Sequence, residues 1–151
     1  RQGIPDYLVT VRKLGENTEP VAGPFTEFAG ENPPRKTGDP IKDSINIWQR
    51  YASPVWMDIN PSDTLQYRSA RANEDERHIC PLQLEVIRRG LQLWSNPGDV
   101  VLSPFAGIGS EGYCSIQSGR RFVGFELKPS YYNCAVKNLQ QCEASRQTEL
   151  V

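Results

Sequence analysis

Apolar positions along the chain fall into three regimes. Over Asp6 to Lys13, Tyr7, Val9 and Val11 alternate with Leu8, Thr10 and Arg12. This is the two-residue period of a strand with one better-buried face. From Gly15 to Pro40 the period disappears, and five prolines and four glycines occupy 26 residues. That composition predicts an extended, poorly packed loop or linker. Residues 41–64 carry Ile45, Ile47, Trp48, Tyr51, Val55 and Trp56 without a clean period, broken by Pro54 and Pro61. They are apolar enough to dock on something. Arg68 to Arg77 is a solvated charge run.

Order returns at Pro81. Leu84, Ile87, Leu91 and Trp94 share one helical face, with Val86 beside them and Pro81 suited to the first turn. The helix is expected to end near Ser95, before the turn Asn96-Pro97-Gly98. Val100-Val101-Leu102 then reads as a strand covered on both faces. A glycine-rich loop follows, then a short helix from about Ser110 to Gln117 closed by Gly119. Phe122 to Phe125 reads as a second buried strand. Pro129 opens a last helix with Tyr132, Ala135, Val136 and Leu139 on one stripe. The tail after Cys142 is polar and expected to fray.

This alternation predicts an α/β fold with a mostly parallel sheet. Two strands, or three with 6–13, are too few to form such a sheet. The expectation is therefore that further strands lie upstream, in a chain that starts at Arg1 and has Met57 as its single methionine.

Composition narrows the function classes. The 151 residues hold 17 basic and 18 acidic side chains, for a formal net charge of -1. This argues against a protein that coats nucleic acid with positive charge. No apolar run reaches the roughly 18–20 residues of a membrane span. Cys80, Cys114, Cys134 and Cys142 form no C-x-x-C pair, and His78 is the one histidine, so no zinc site of usual spacing is expected. The low cysteine density fits a reducing cytosol.

The chemistry concentrates after the first buried strand, in Ser103-Pro104-Phe105-Ala106-Gly107-Ile108-Gly109-Ser110-Glu111-Gly112. The glycines match G-x-G-x-x-G, follow a strand and open a helix. Glu126 stands 19 positions after Gly107, at the end of the next strand. Gly107 is expected to permit the tight turn and Gly109 to let a ligand approach the backbone. Glu126 can accept two hydrogen bonds from a ribose diol. A dinucleotide and S-adenosylmethionine both present such a ribose. Only 25 residues follow Glu126, whereas a dinucleotide domain continues with further βα units, so the order is that of a permuted fold.

These residues resemble the amino-group DNA methyltransferases, which modify adenine N6 or cytosine N4. The resemblance is to the C-terminal part of the permuted type, with the catalytic motif ahead of the cofactor motif, and is closest to phage and prophage members. It is carried by His78-Ile79-Cys80-Pro81-Leu82-Gln83-Leu84, by Pro104 to Gly109, and by Arg120 to Glu126 with Tyr131, Tyr132 and Ala135. It implies an incomplete Rossmann-like fold that binds S-adenosylmethionine through His78, Cys80, Pro81, Ser103, Pro104, Phe105, Ala106, Gly107, Gly109, Glu126 and Leu127, with no metal. DNA and the missing N-terminal part of the same enzyme are the implied partners. The implied setting is the cytoplasm of a bacterial or phage-infected cell.

The implied layout is a terminal strand of the methyltransferase sheet over 1–13 and a variable, target-recognition region over 14–77. A cofactor-binding portion follows over 78–143, with a polar tail over 144–151. Two departures stand out. The family's loop starts with Asp where this chain has Ser103. The catalytic tetrapeptide, D-P-P-Y or S-P-P-W/F, has only Ser53-Pro54-Val55-Trp56 as a weak counterpart, so the catalytic motif is expected upstream. An NAD-dependent oxidoreductase fragment and an inactive methyltransferase-like interaction protein are the competing readings.

Overall fold

A computed structural model describes residues 6–21, 23–30, 32–66 and 80–149. Helix α1 (Pro40–Tyr51) lies within the segment that showed no period. Asp39 caps it, its carboxylate accepting from the Ile41 and Lys42 amides at 3.0 and 3.3 Å, with Pro40 in the first turn. Only Ile47 and Tyr51 are buried, while Ile41, Ile45 and Trp48 are exposed. Ile41, Ile45, Ile47, Trp48 and Tyr51 share one helical arc, but the apolar residues continue past its end to Val55 and Trp56, which hid the period.

The proline-rich segment ahead of α1 is extended and exposed at residues 15–21 but anchored at 25–30. The Phe25 amide donates to Ser44 Oγ at 2.8 Å, and the Ala29 amide to the Tyr51 hydroxyl at 2.6 Å. The Phe28 ring stacks on Tyr51 with centroids 5.4 Å apart. The expectation of a poorly packed loop is corrected over 25–30.

Helix α2 (Leu84–Trp94) begins later than expected, so Pro81 precedes it. Gln83 holds the extended N-cap conformation, and the Leu84 amide donates to the Asp63 carbonyl at 2.8 Å. Leu84, Ile87 and Leu91 pack on Cys114, while Trp94 at the helix end stays half exposed. Trp48 is likewise half exposed, and Trp56 is half-buried.

The second face of α2 carries Glu85 and Arg89, one turn apart and both buried. The Arg89 guanidinium donates to both Asp58 carboxylate oxygens at 3.1 and 2.9 Å and also to Glu85. Its carbon lies 5.3, 5.6 and 5.1 Å from the ring centres of Phe28, Tyr51 and Trp56. Charge pairing and cation–π contact together offset the desolvation of this cation. Arg89 holds the Asp58 carboxyl below its usual range, while burial pushes Glu85 up.

Strands β1 (Val100–Ser103) and β2 (Arg121–Gly124) pair in parallel, with Val101 opposite Phe122 and Ser103 opposite Gly124. Helix α3 (Ser110–Gln117) crosses between them and touches both strands, α2 and α4 (Pro129–Glu149). A Cβ on Gly112 would lie 2.7 Å from Phe122 and 2.8 Å from Leu139, so only glycine admits this packing. Arg120 caps the C-terminal end of α2, donating to the Leu91 and Ser95 carbonyls.

Three expectations differ here. The strands are covered on one face only. Val100, Leu102, Val123 and Phe125 are 53, 62, 46 and 60% exposed because no described segment reaches that side. Residues 6–13 form no strand, and Tyr7, Val9 and Val11 are exposed. A strand exists only by pairing, and among the described residues β1 and β2 pair only with each other. The expected frayed tail is helical, because α4 runs through Glu149 and Arg146 donates to the Ile116 carbonyl at 2.9 Å. Among the described residues, no helix is long and apolar enough to cross a membrane.

Replacing Arg89 with Met leaves Asp58 and Glu85 without their cation. The expected loss of stability is about 3–5 kcal/mol in urea unfolding. Amide exchange is expected to rise first over 25–30 and 40–58, before it rises in α3.

Candidate functional site

The loop between β1 and α3 is wound onto the tip of β2. The Phe125 amide donates to the Ser103 carbonyl at 2.9 Å, and the Ala106 amide to the Phe125 carbonyl at 2.8 Å. The Gly109 amide then returns to the Ala106 carbonyl at 2.8 Å. Gly107 and Gly109 have φ of 54° and 89°, the left-handed region that favours glycine.

Their roles differ from the expectation. A Cβ on Gly109 would come within 3.2 Å of the Ala135 Cβ, so this glycine admits α4. Among the described residues, a Cβ on Gly107 would meet nothing within 4 Å. The open approach to the backbone is at Gly107. Between them Ile108 is buried against Leu65, Tyr131 and Cys134, and its carbonyl accepts from Asn138 Nδ2 at 2.9 Å. The loop is thus pinned from below while Gly107 faces open space.

Glu126 lies just beyond β2. Its Oε2 accepts from the Gly107 amide and its Oε1 from the Lys128 amide, each at 2.8 Å. Each oxygen keeps acceptor capacity for one further donor. Phe105 is 86% exposed and Leu127 fully exposed, so apolar side chains flank the carboxylate. Pro104 is exposed; Ala106 and Ser103 are buried. This arrangement can accept a vicinal diol at Glu126, lay an apolar ring against Phe105 or Leu127, and bring a polar ligand group close to the Gly107 backbone.

The structure therefore brings together Ser103, Pro104, Phe105, Ala106, Gly107, Gly109, Glu126 and Leu127. Cys80 is exposed and Pro81 half-buried on the approach to α2. The start of α2 meets α3 where Cys114 Sγ lies 3.6 Å from the Leu84 carbonyl. His78 and the charge run Arg68 to Arg77 fall outside the described residues. Burial pushes the Cys114 thiol up to about 12, so it is no nucleophile at neutral pH.

Ser53, Pro54 and Trp56 lie elsewhere. Ser53 Oγ donates to the Val55 carbonyl at 2.9 Å, closing a turn after α1. Trp56 Nε1 donates to the Tyr51 carbonyl at 3.1 Å, and its ring walls the Arg89 guanidinium. The indole is committed to packing.

Sequence reasoning missed the cluster of Arg89, Glu85, Asp58, Phe28 and Tyr51. The available signal was Glu85 and Arg89, oppositely charged at i, i+4 beside the apolar stripe of α2. The Lys128 amide, which fixes one Glu126 oxygen, carried no signal, because backbone donors do not show in side-chain patterns.

Comparison with known proteins gives concordant similarities. The pattern of the DNA methylase family matches residues 7–137. The chain is 37% identical over 67 residues to the DNA adenine methyltransferase YhdJ of Escherichia coli, covering 44% of this chain and 23% of that protein. It is 41% identical over 63 residues to the type II methyltransferase M.Cfr9I of Citrobacter freundii, covering 42% and 21%. The chain thus spans about a quarter or less of the length of these two curated relatives. Among solved structures, it is similar to a putative DNA modification methylase of Thermus thermophilus complexed with S-adenosyl-L-methionine. That match has 29% identity and a TM-score of 0.48, covering 64% of this chain and 32% of that one.

The two glycines separate by substitution. Gly109→Ala is expected to cost about 2–5 kcal/mol in chemical denaturation, the left-handed penalty plus the overpacking of Ala135. Gly107→Ala meets no neighbour and is expected to cost about 1–2 kcal/mol, the left-handed penalty alone. Equal costs well above that range at both positions would contradict the assignment.

Proposed function

The chain belongs to the DNA methylase family, and from that premise we propose that it carries the cofactor-binding portion and variable region of an enzyme that methylates DNA. The methyl donor is S-adenosylmethionine and the acceptor is an exocyclic amine, adenine N6 or cytosine N4. The observation that carries this reading is Glu126, held at the tip of β2 by the Gly107 and Lys128 amides with acceptor capacity left on both oxygens. A ribose diol fits that carboxylate, and the open space over Gly107 admits the ligand's approach. Phe105 and Leu127 supply apolar surface for the adenine ring. Cys80 and Pro81, and His78 beyond the described residues, are assigned to the methionine end of the ligand.

S-adenosylmethionine supplies an electrophilic methyl group when bound. The residues here bind and orient it; the attacking lone pair belongs to the base amine, presented on a base turned out of the helix. Positioning within about 3–3.5 Å lowers the barrier. No described side chain needs to act as a covalent nucleophile.

The bare face of the sheet supports a second part of the proposal. Val100, Leu102, Val123 and Phe125 form an apolar surface on a two-stranded parallel sheet, and parallel sheets are covered on both faces. We assign that face to helices of the same enzyme, and the open sheet edges to further strands that also bring the catalytic tetrapeptide. Residues 6–13 are assigned to the edge of that larger sheet, 14–77 to target recognition, and 144–149 to the terminal part of α4. The setting is the bacterial or phage-infected cytoplasm, where the DNA is.

Two outcomes are expected. Glu126→Ala weakens S-adenosylhomocysteine binding by about 1.5–3 kcal/mol in calorimetric titration, the worth of hydrogen bonds to a charged group. Unchanged affinity would move the pocket elsewhere. The 151-residue chain transfers no labelled methyl group to mixed-sequence duplex DNA, whereas a form extended upstream does. Activity of the 151-residue chain that is abolished by Ser53→Ala would contradict the assignment of Ser53 to a turn.

A further inference from the structure

A second concave site lies on the variable-region side of α2. Its volume is about 480 Å³, and its walls include Phe28, Asn60, Ser62, Asp63, Glu85 and Arg88. That size falls within the ordinary range for ligand pockets, about 300–1,000 Å³. Its floor is built. Phe28 is fixed by stacking on Tyr51, and Glu85 is buried and held by Arg89. Asn60 and Ser62 are set by a tight turn in which the Ser62 amide donates to Asn60 Oδ1 at 2.9 Å.

The rim is the informative part. Arg88 Nη1 meets Asp63 Oδ2 at 2.9 Å, with both side chains 32% exposed. This places a guanidinium fork and a carboxylate side by side at the mouth of the cavity. A nucleobase edge presents the complement, acceptors for arginine and an amino donor for a carboxylate. The site also adjoins the cofactor loop. Leu65, two residues beyond Asp63, packs on Ile108 between Gly107 and Gly109, and the Asp63 carbonyl holds the first amide of α2.

We infer that this cavity reads one base of the DNA recognition sequence, with Arg88 and Asp63 as its specificity-determining pair. The inference rests on the DNA methylase reading and adds to it a residue-level reader. It suits a chain of net charge -1, which argues against a basic coat and for pairs that contact base edges.

The test selects randomised duplexes with the 151-residue chain in the presence of S-adenosylhomocysteine and sequences the bound fraction. The wild type is expected to enrich a motif. Arg88→Gln and Asp63→Asn are each expected to flatten preference at the same single position by about tenfold or more, the usual worth of one good base contact. S-adenosylhomocysteine affinity should stay within about twofold of wild type, since a base reader does not touch the cofactor. A second measurement needs no variant: the selected duplex should shift the amide resonances of Asn60, Ser62, Asp63 and Arg88 in the wild type. Absence of any enriched motif, an unchanged motif in both variants, or shifts confined to other residues would overturn the inference. So would shifts produced by free deoxynucleoside monophosphates and not by duplex, which would make the cavity a small-nucleotide pocket. Failure of the wild type to bind S-adenosylhomocysteine would instead sink the methylase reading itself.

Discussion

The buried Arg89 guanidinium is the interaction on which the arrangement of this chain depends. Helix α2 has two working faces. Leu84, Ile87 and Leu91 fasten it to α3, and hence to the glycine loop. Arg89, held by Glu85, fastens it to Phe28, Tyr51, Trp56 and Asp58. A cation is an expensive thing to bury, but it can do what a leucine cannot. It demands carboxylates and aromatic faces at fixed directions, and so gives a proline-rich segment with little apolar content one defined way to dock.

The loop that follows β1 solves a different problem. Its backbone must stay open to a ligand on one side and be immobile on the other. Ile108 meets the second need by burying beneath the loop, with Asn138 bonded to its carbonyl. The first need falls to Gly107, the glycine with free space about it, while Gly109 serves helix packing. Glu126 ties the two strands' tips together by accepting from Gly107. The same carboxylate thus shapes the loop and offers the acceptor sites that a ribose requires, so site geometry and loop fold are one constraint.

The C-terminal half was legible in the sequence because its signals are local. Val100 to Leu102, the G-x-G-x-x-G spacing and Gly119 place β1, the loop and α3 within a residue or two of where they lie. Helix α1 was hidden because its apolar stripe, Ile41, Ile45, Ile47, Trp48 and Tyr51, runs on into Val55 and Trp56 of the non-helical segment that follows. Its cap, Asp39-Pro40, was the readable sign. The Arg89 cluster was hidden for another reason: it joins residues 28, 51, 56, 58, 85 and 89, and no sequence period links positions so far apart. The structure brings Ser103 to Gly109 and Glu126 together at the tips of β1 and β2, but the different surroundings of the two glycines needed coordinates.

The central claim is that Glu126 and the Gly107 backbone form an adenosine-ribose site for S-adenosylmethionine and not for a dinucleotide. The most direct measurement is a backbone amide NMR titration of the chain with S-adenosylhomocysteine and, in parallel, with NAD. The account predicts saturable shifts at Gly107, Ile108, Leu127 and Lys128 with S-adenosylhomocysteine, and none with NAD. Shifts at these amides with NAD alone, or S-adenosylhomocysteine shifts that spare Gly107 and Lys128, would contradict it.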